Sequence, residues 1–401
     1  MQLAPQLIAS NLRKVLDCAS PLALFVCGRL LSKRQRTGAV QDASATRRSF
    51  CSRRSTVSAL LLSLSFGPAI LSASDTSTLN WKQLPSLPDS VGFAAPFAGV
   101  SSGALIVAGG ANFPGAMPWE GGTKVWHDAI FVLLKPDGEW RTGFKLPRPV
   151  GYGVSVSTPM GIVCAGGSDV RQHLRDVFTL RWVDGRIETK SLPPLPRPLA
   201  NACGALLHHT LYLAGGTETS DATNALKTFW ALNLAETNPQ WHELEPWPGP
   251  ARMLAVAGAD DNSFYLFSGV ELRGGSNGKP VRRYLNDAYR FTPEKGWKQI
   301  ADLPRAAVAA PSPAISHDGK LLIVSGDDGA QVNFEPKSAH PGFPKDVLAY
   351  DPLADKWTRL GDSTLSRATV PAVQWQDRTV IPTGEARPGR RTPEVWGLER
   401  R

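Results

Sequence analysis

Six times along this 401-residue chain an apolar stretch runs into a small-residue pair that ends in glycine. The pairs are Gly109-Gly110, Gly166-Gly167, Gly215-Gly216, Ser268-Gly269, Ser325-Gly326 and Thr383-Gly384, and the second glycines stand 57, 49, 53, 57 and 58 residues apart. A long, nearly constant period means that one supersecondary unit is reused around a common core. Downstream of each pair the pattern predicts a further strand, at 128–133, 176–180, 228–232, 287–291, 346–350 and 393–398. Trp140, Trp241, Trp297 and Trp357 follow four of these strands, Ile187 takes that place in the second unit, and Leu-Pro corners such as Leu146-Pro147, Leu195-Pro196 and Leu303-Pro304 come next. Repeated units of this length, each built of short strands, point to an all-β propeller of six blades.

The last unit stops after 393–398 without its tryptophan and Leu-Pro corner, while Trp81-Lys-Gln-Leu84-Pro85 precedes the first unit. The sequence therefore predicts that the N-terminal strand completes the last blade and closes the ring, leaving no open seam. The mean interval is 54.8 residues, so six units need about 329, and 327 lie between Asp75 and Arg401.

A net charge of +9 invites a nucleic-acid partner, but the charge is not in the propeller. Residues 1–74 carry ten Lys and Arg against Asp17 and Asp42, which leaves residues 75–401 at +1 and argues against nucleic acid. The leader, residues 1–74, reads as an export signal directing the protein to the periplasm. Arg47-Arg48 and Arg53-Arg54 precede an apolar core at about 57–71, and Ser72-Ala73-Ser74 supplies small residues for cleavage. Either a general secretory or a twin-arginine route fits these arginine pairs. The apolar core is too short to predict a stable membrane span. Cys18, Cys27 and Cys51 belong to the leader, leaving Cys164 and Cys203 on inner strands of neighbouring blades. Two buried free thiols are expected there, with a disulfide as the alternative.

In such a ring, the lead-in to each inner strand and the loop after each glycine pair converge on one face of the hub. Arg148, Arg197, Arg252, Arg305 and Arg367 occupy five of the six lead-ins. Singly they can brace blades; as a ring they would favour an anion in the central well. The most informative loop is the last, in which Glu385 follows the strand, Pro388-Gly389 makes a turn and Arg391 returns. A carboxylate and a guanidinium on the two stems of one tight loop can take a proton and grip a carboxylate, or simply close the loop as a structural pair. No metal pattern is present among the histidines of the propeller, and no nucleotide-binding loop; His127 reads as a capping or surface group. Trp119 and Trp126, in the long first-blade loop, are candidates for stacking on a sugar ring.

Taken together, the blade marks resemble kelch repeats, and the loop is more specific still. Gly384-Glu-Ala-Arg-Pro-Gly-Arg-Arg-Thr392 resembles the Gly-Glu-Ala-Lys-Pro-Gly-x-Arg-Thr loop of the N-acetylneuraminate epimerases, the sialic acid mutarotases. Gly92-Phe-Ala-Ala-Pro-Phe-Ala-Gly99, Ile106-Val-Ala-Gly-Gly-Ala-Asn112, Arg148-Pro-Val-Gly-Tyr-Gly-Val-Ser155 and Gly249-Pro-Ala-Arg252 are similar to other segments of that family. The blade order is rotated, so the chain resembles the family's cyclically permuted branch, and moving the termini of a closed ring leaves its hub unchanged. Arg390 stands where the family usually has a neutral residue.

The resemblance implies an isomerase that interconverts the α and β anomers of N-acetylneuraminic acid, with no cofactor and no metal. It assigns Glu385 as proton acceptor and Arg391 as the arginine needed for activity, with Arg148, Arg252, Arg305 and Asn112 expected to bind the acidic sugar. A homodimer is left open. The alternatives are a non-catalytic propeller that binds an exported glycan or protein, and a mutarotase for another acidic sugar. A kelch-type oxidase would need a copper constellation that these residues do not supply.

Overall fold

The computed structural model describes residues 79–275 and 279–400. The leader expected at 1–74, with its apolar core and three cysteines, lies outside the described residues. Six four-stranded antiparallel sheets follow one another around the ring. In the first, Phe97–Ser101, Ala104–Ala108, Ala129–Leu133 and Arg141–Lys145 pair in chain order from the axis outward. The second to fifth blades begin at Val154–Thr158, Cys203–Leu207, Val256–Ala259 and Ile315–His317 and repeat the pattern. The sixth takes Val373–Trp375, Arg378–Pro382 and Val395–Glu399 from the C-terminal end and its outer strand, Trp81–Leu84, from the N-terminal end. Trp81 faces Leu398 and Leu84 faces Val395 in that pairing, as the missing corner of the last repeat predicts.

The three inner strands of each blade are largely buried, outer strands such as Arg186–Ser191 are exposed, and six buried apolar clusters fill the six joints. Outer-strand tryptophans add a directed link at four of them. The indoles of Trp140, Trp241, Trp297 and Trp357 donate to the carbonyls of Pro85, Pro193, Glu245 and Ala301 in the preceding blade, at 2.8–2.9 Å. Cys164 and Cys203 are buried free thiols, and burial pushes Cys164 well up and Cys203 up to about 12.

The glycine pairs recur because the chain must turn through left-handed backbone beside the next blade. Gly109 and Gly110 have φ of 69° and 93°, and a Cβ on Gly110 would stand 2.8 Å from that of Phe93. Where Ser or Thr replaces the first glycine, φ is still positive, and the hydroxyl accepts a backbone N–H of the next lead-in. Ser268 takes that of Ala307, Ser325 that of Arg367 and Thr383 that of Phe93, at 2.7–2.8 Å.

At the axis, one left-handed residue from each lead-in joins a closed circle of backbone hydrogen bonds. Ala95 donates to Thr369, Thr369 to Ala309, Ala309 to Leu254, Leu254 to Asn201, Asn201 to Tyr152 and Tyr152 to Ala95, at 2.6–3.0 Å. The circle pins the six inner strands to one centre.

The closing strand is tested through Leu84, which is buried against Leu105, Leu133, Val380 and Val395 in the joint between the sixth and first blades. Leu84→Ala is expected to cost about 2–5 kcal/mol, while the exposed Lys82→Ala on the same strand changes stability by less than about 0.5 kcal/mol. Urea unfolding of both variants checks this.

Candidate active site

Immediately before the circle, each lead-in makes one antiparallel bridge to the residue that follows the glycine pair. The bridges join Ala94 to Ala111, Gly151 to Ser168, Ala200 to Thr217, Met253 to Val270, Val308 to Asp327 and Ala368 to Glu385. Glu385 is thus one of six equivalent hub positions, filled otherwise by small, apolar or hydroxyl residues and one aspartate.

The hairpin Glu385–Arg387 and Arg390–Arg391 sets Glu385 directly opposite Arg391, with Gly389 at φ 79° in its turn. Residues paired across antiparallel strands project to the same side, so the two side chains meet. Arg391 Nη1 lies 3.0 Å from Glu385 Oε1, and both side chains are fully buried. Thr369 Oγ1 donates to Glu385 Oε2 at 3.3 Å, while Arg391 Nε donates to the carbonyl of Ala111 at 3.3 Å. Its guanidinium also lies over the ring of Phe113, 4.7 Å from the centroid. The ion contact is not a directed hydrogen bond, since neither Oε1 nor Nη1 has a partner of acceptable geometry.

The guanidinium reaches across the first blade to the second, where Nη2 donates to the hydroxyl of Tyr152 at 3.5 Å. Burial is the main cause that raises the Tyr152 phenol to about 12; nearby Arg391 opposes that rise and Glu385 adds to it. Lys124, itself buried, sets its ammonium 4.9 Å from the centroid of the Tyr152 ring and 5.0 Å from that of Trp126. The Trp126 indole donates to Ser168 Oγ at 3.3 Å. Beyond it, His173 and Asn201 both meet the hydroxyl of Thr217, at 3.1 and 3.0 Å. His173 Nδ1 and Asn201 Oδ1 are buried without partners. A buried polar atom left unpaired costs about 1–3 kcal/mol, and four of them belong to residues near the hub in blades six, two and three. The site therefore holds hydrogen-bonding capacity that the fold itself does not use. Below the circle, the axial cavity lined by Ser155, Cys203 and Ser312 is about 80 Å³, room for water rather than a sugar.

The arginine ring is a different device from the one expected. Arg252 is fully buried and makes a two-pronged pair with Asp287 at 2.9 and 2.7 Å, with its cation against Trp247 and Tyr289. Arg305 grips Asp346, Arg367 reaches Glu394 at 3.0 Å, and half-exposed Arg148 stands 3.7 Å from both Asp169 and Asp176. Except for Asp169, which follows the second glycine pair, each acid opens or immediately precedes the third strand of the arginine's own blade. The charges of Arg148, Arg252 and Arg305, expected to bind substrate, are matched by carboxylates within the blade, and none of the three is brought to Glu385. Asn112 is also occupied, since its amide donates to the Gly92 carbonyl at 2.9 Å and its oxygen meets His127 Nε2 at 2.8 Å. Trp119 packs beneath the hairpin turn, where a Cβ on Gly389 would come within 3.0 Å of its ring.

Sequence reasoning missed Tyr152, Lys124, His173 and Asn201 as members of the site, whereas Thr217 lies in one of the post-glycine loops expected to converge on the hub. A usable signal existed for two of them: Tyr152 and Asn201 occupy the same repeat position as Thr369, beside Glu385. Lys124 and His173 arrive from loops of unequal length, which no period marks.

His173 supplies a pH prediction. Burial, with help from the charge of Lys124, lowers its pKa from the ordinary 6.5 to about 4. The unfolded chain then takes up a proton that the folded state refuses, so stability falls as pH drops from 6.5 to 4, by on the order of 3 kcal/mol. Denaturation midpoints of the wild type and of His173→Gln over that range are expected to converge toward acid pH, with the variant showing the flatter slope.

Comparison with known proteins bears on this hub. The family model described as N-acetylneuraminate epimerase matches residues 69–189 and 192–334, more than half of the chain. N-acetylneuraminate epimerase of Haemophilus influenzae (strain PittEE) is 28% identical over 233 residues, 51% of this chain and 58% of that protein. The one from Yersinia pestis (strain Pestoides F) is 34% identical over 127 residues, 28% of this chain and 32% of that protein. The match thus spans little more than half the length of the first relative and about a third of the second. A solved structure described as "Structure of YjhT" aligns with a TM-score of 0.56 at 15% identity, over 78% of this chain and 96% of its own, a likeness of fold. The matched segments carry five of the six glycine pairs, and the chain belongs to the N-acetylneuraminate epimerase family.

Proposed function

We propose that this protein is a mutarotase that interconverts the α and β anomers of N-acetylneuraminic acid. The observation that carries the reading is the Glu385–Arg391 pair, buried at the hub of a propeller of this family and left with unsatisfied hydrogen-bonding atoms. The substrate class follows from the names of the relatives together with this chemistry. In the sugar, a carboxylate adjoins the anomeric carbon C2, which also bears a hydroxyl and the ring oxygen. Glu385 takes the hydroxyl proton while Arg391 holds the carboxylate; the bond from C2 to the ring oxygen breaks, and the ring oxygen gains a proton. The open ketone then recloses on its other face. Excluding water strengthens both contacts, because charges interact more strongly away from high dielectric.

A second reading, binding without turnover, draws on the same pair. A carboxylate already held 3.0 Å from an arginine and closed off from solvent also serves as a strut that shapes the hairpin.

Glu385→Gln separates the two. It is expected to lower the rate of anomer exchange of freshly released α-N-acetylneuraminic acid by about 10²–10⁴-fold while sugar binding persists. Exchange followed by NMR is the measurement, and an unchanged rate removes Glu385 from the chemistry. A neutral sugar and a second acidic sugar, run alongside, report on substrate preference.

We further propose that the leader directs export to the periplasm, on the strength of its arginine pairs, apolar core and small-residue site. In cell fractionation the full-length chain is expected in the periplasmic fraction shortened near Asp75. A chain lacking residues 2–74 is expected to stay in the cytoplasm.

A further inference from the structure

Mutarotation needs two protons handled at once, and Glu385 with Arg391 accounts for only one. A base removes the proton of the anomeric hydroxyl; something must also deliver a proton to the departing ring oxygen, or an alkoxide forms at neutral pH. Arg391 is a poor donor in that sense, because its guanidinium holds its protons throughout. Among the described residues around the pair, Thr369 bonds Glu385 itself and Asn201 carries no titratable proton, whereas Tyr152 has an acidic hydroxyl on the other side of Arg391.

We propose that Tyr152 is the general acid of the reaction, donating its phenolic proton to the ring oxygen as Glu385 accepts the proton of the anomeric hydroxyl. The inference rests on the mutarotase reading above. Three observations carry it. The Tyr152 oxygen accepts an N–H from Arg391, and among the described residues no acceptor is found for its own hydrogen, which is therefore free for a ligand. Its ring is backed by the Lys124 ammonium and its oxygen faces the guanidinium, so the phenolate formed in the transfer lies between two cations. Its backbone is a member of the hydrogen-bonded circle, with φ at 64°, which fixes the side chain relative to Glu385 two blades away. Burial keeps the phenol neutral, and so able to donate, at any pH well below 12.

The proton count closes. On opening, the C2 hydroxyl proton passes to Glu385, the bond between C2 and the ring oxygen breaks as the C2 carbonyl forms, and the ring oxygen takes the Tyr152 proton. On closing, that new hydroxyl attacks the opposite face of the carbonyl. The Tyr152 phenolate recovers its proton from the attacking oxygen, and Glu385 returns its own to the carbonyl oxygen. Neither residue is changed over the cycle.

Tyr152→Phe keeps the ring in its packing and removes only the hydroxyl. It is expected to lower kcat for anomer exchange about a hundredfold or more, with KM altered no more than a few-fold. Replacing Tyr152 with 3,5-difluorotyrosine preserves the hydroxyl but makes it a stronger acid, and is expected to raise kcat severalfold at neutral pH. A residue that merely positions Arg391 would move KM and leave kcat indifferent to fluorination, and that result overturns the proposal. Should Tyr152→Phe fail to fold, the fluorinated protein alone decides. If Glu385→Gln is inactive while Tyr152→Phe turns over at the wild-type rate, only the role of Tyr152 falls. If both exchange anomers as the wild type does, the mutarotase reading itself falls.

Discussion

Everything at the working face of this molecule is referred to a circle of six backbone hydrogen bonds around the axis. A blade alone is a small twisted sheet with two apolar faces, and stacking buries those faces without saying where the centre lies. The circle does, because each N–H and C=O must find its partner in the adjacent blade and the sixth must return to the first. It requires left-handed backbone at Ala95, Tyr152, Asn201, Leu254, Ala309 and Thr369, a conformation that costs a non-glycine residue roughly 1–2 kcal/mol. That strain recurs six times, so it is borne by the architecture rather than by one functional residue. A side chain placed on this circle or on the bridge beside it inherits a fixed position, as those of Tyr152, Asn201, Thr369 and Glu385 do.

Two kinds of arginine–carboxylate pair follow from that geometry and do opposite things. Arg252 with Asp287, and Arg305 with Asp346, are two-pronged, are joined by further bonds to backbone carbonyls and lie inside a blade. Their bonding capacity is met, and they brace the lead-in against the third strand. Glu385 with Arg391 is close but poorly aligned, with one atom of each left without a directed bond. Asp327 occupies the hub position equivalent to Glu385 in the fifth blade, yet its carboxylate accepts from Gly329 N and the Tyr284 hydroxyl, and it belongs with the first kind. Geometry separates the two kinds of pair where residue type alone does not.

The ring, its six blades and its closing strand were legible because a period survives sequence drift: the glycine pairs answer to backbone turns that side-chain changes elsewhere do not relax. The hairpin at 385–391 was legible for a local reason, as both partners and the turn between them lie within seven residues. The partners of the lead-in arginines were not legible because the repeat shows that they sit near the hub and is silent about where a long side chain points. Each turns back to an acid some 21–46 residues downstream in the same blade. Tyr152 went unnoticed because its partner, Arg391, lies 239 residues away and across the seam. Contacts of that range are set by closure of the ring, which no local pattern records.

Closure by Trp81–Leu84 has a consequence for how the chain is made. This strand leaves the ribosome before any blade exists, yet its partner, Val395–Glu399, is made after every other strand of the ring. For most of translation it is an unpaired edge carrying Leu84, and the hub cannot tighten until the two ends of the propeller meet. A polypeptide whose docking step is held back in this way keeps its ring open until the strands of the sixth blade have been made.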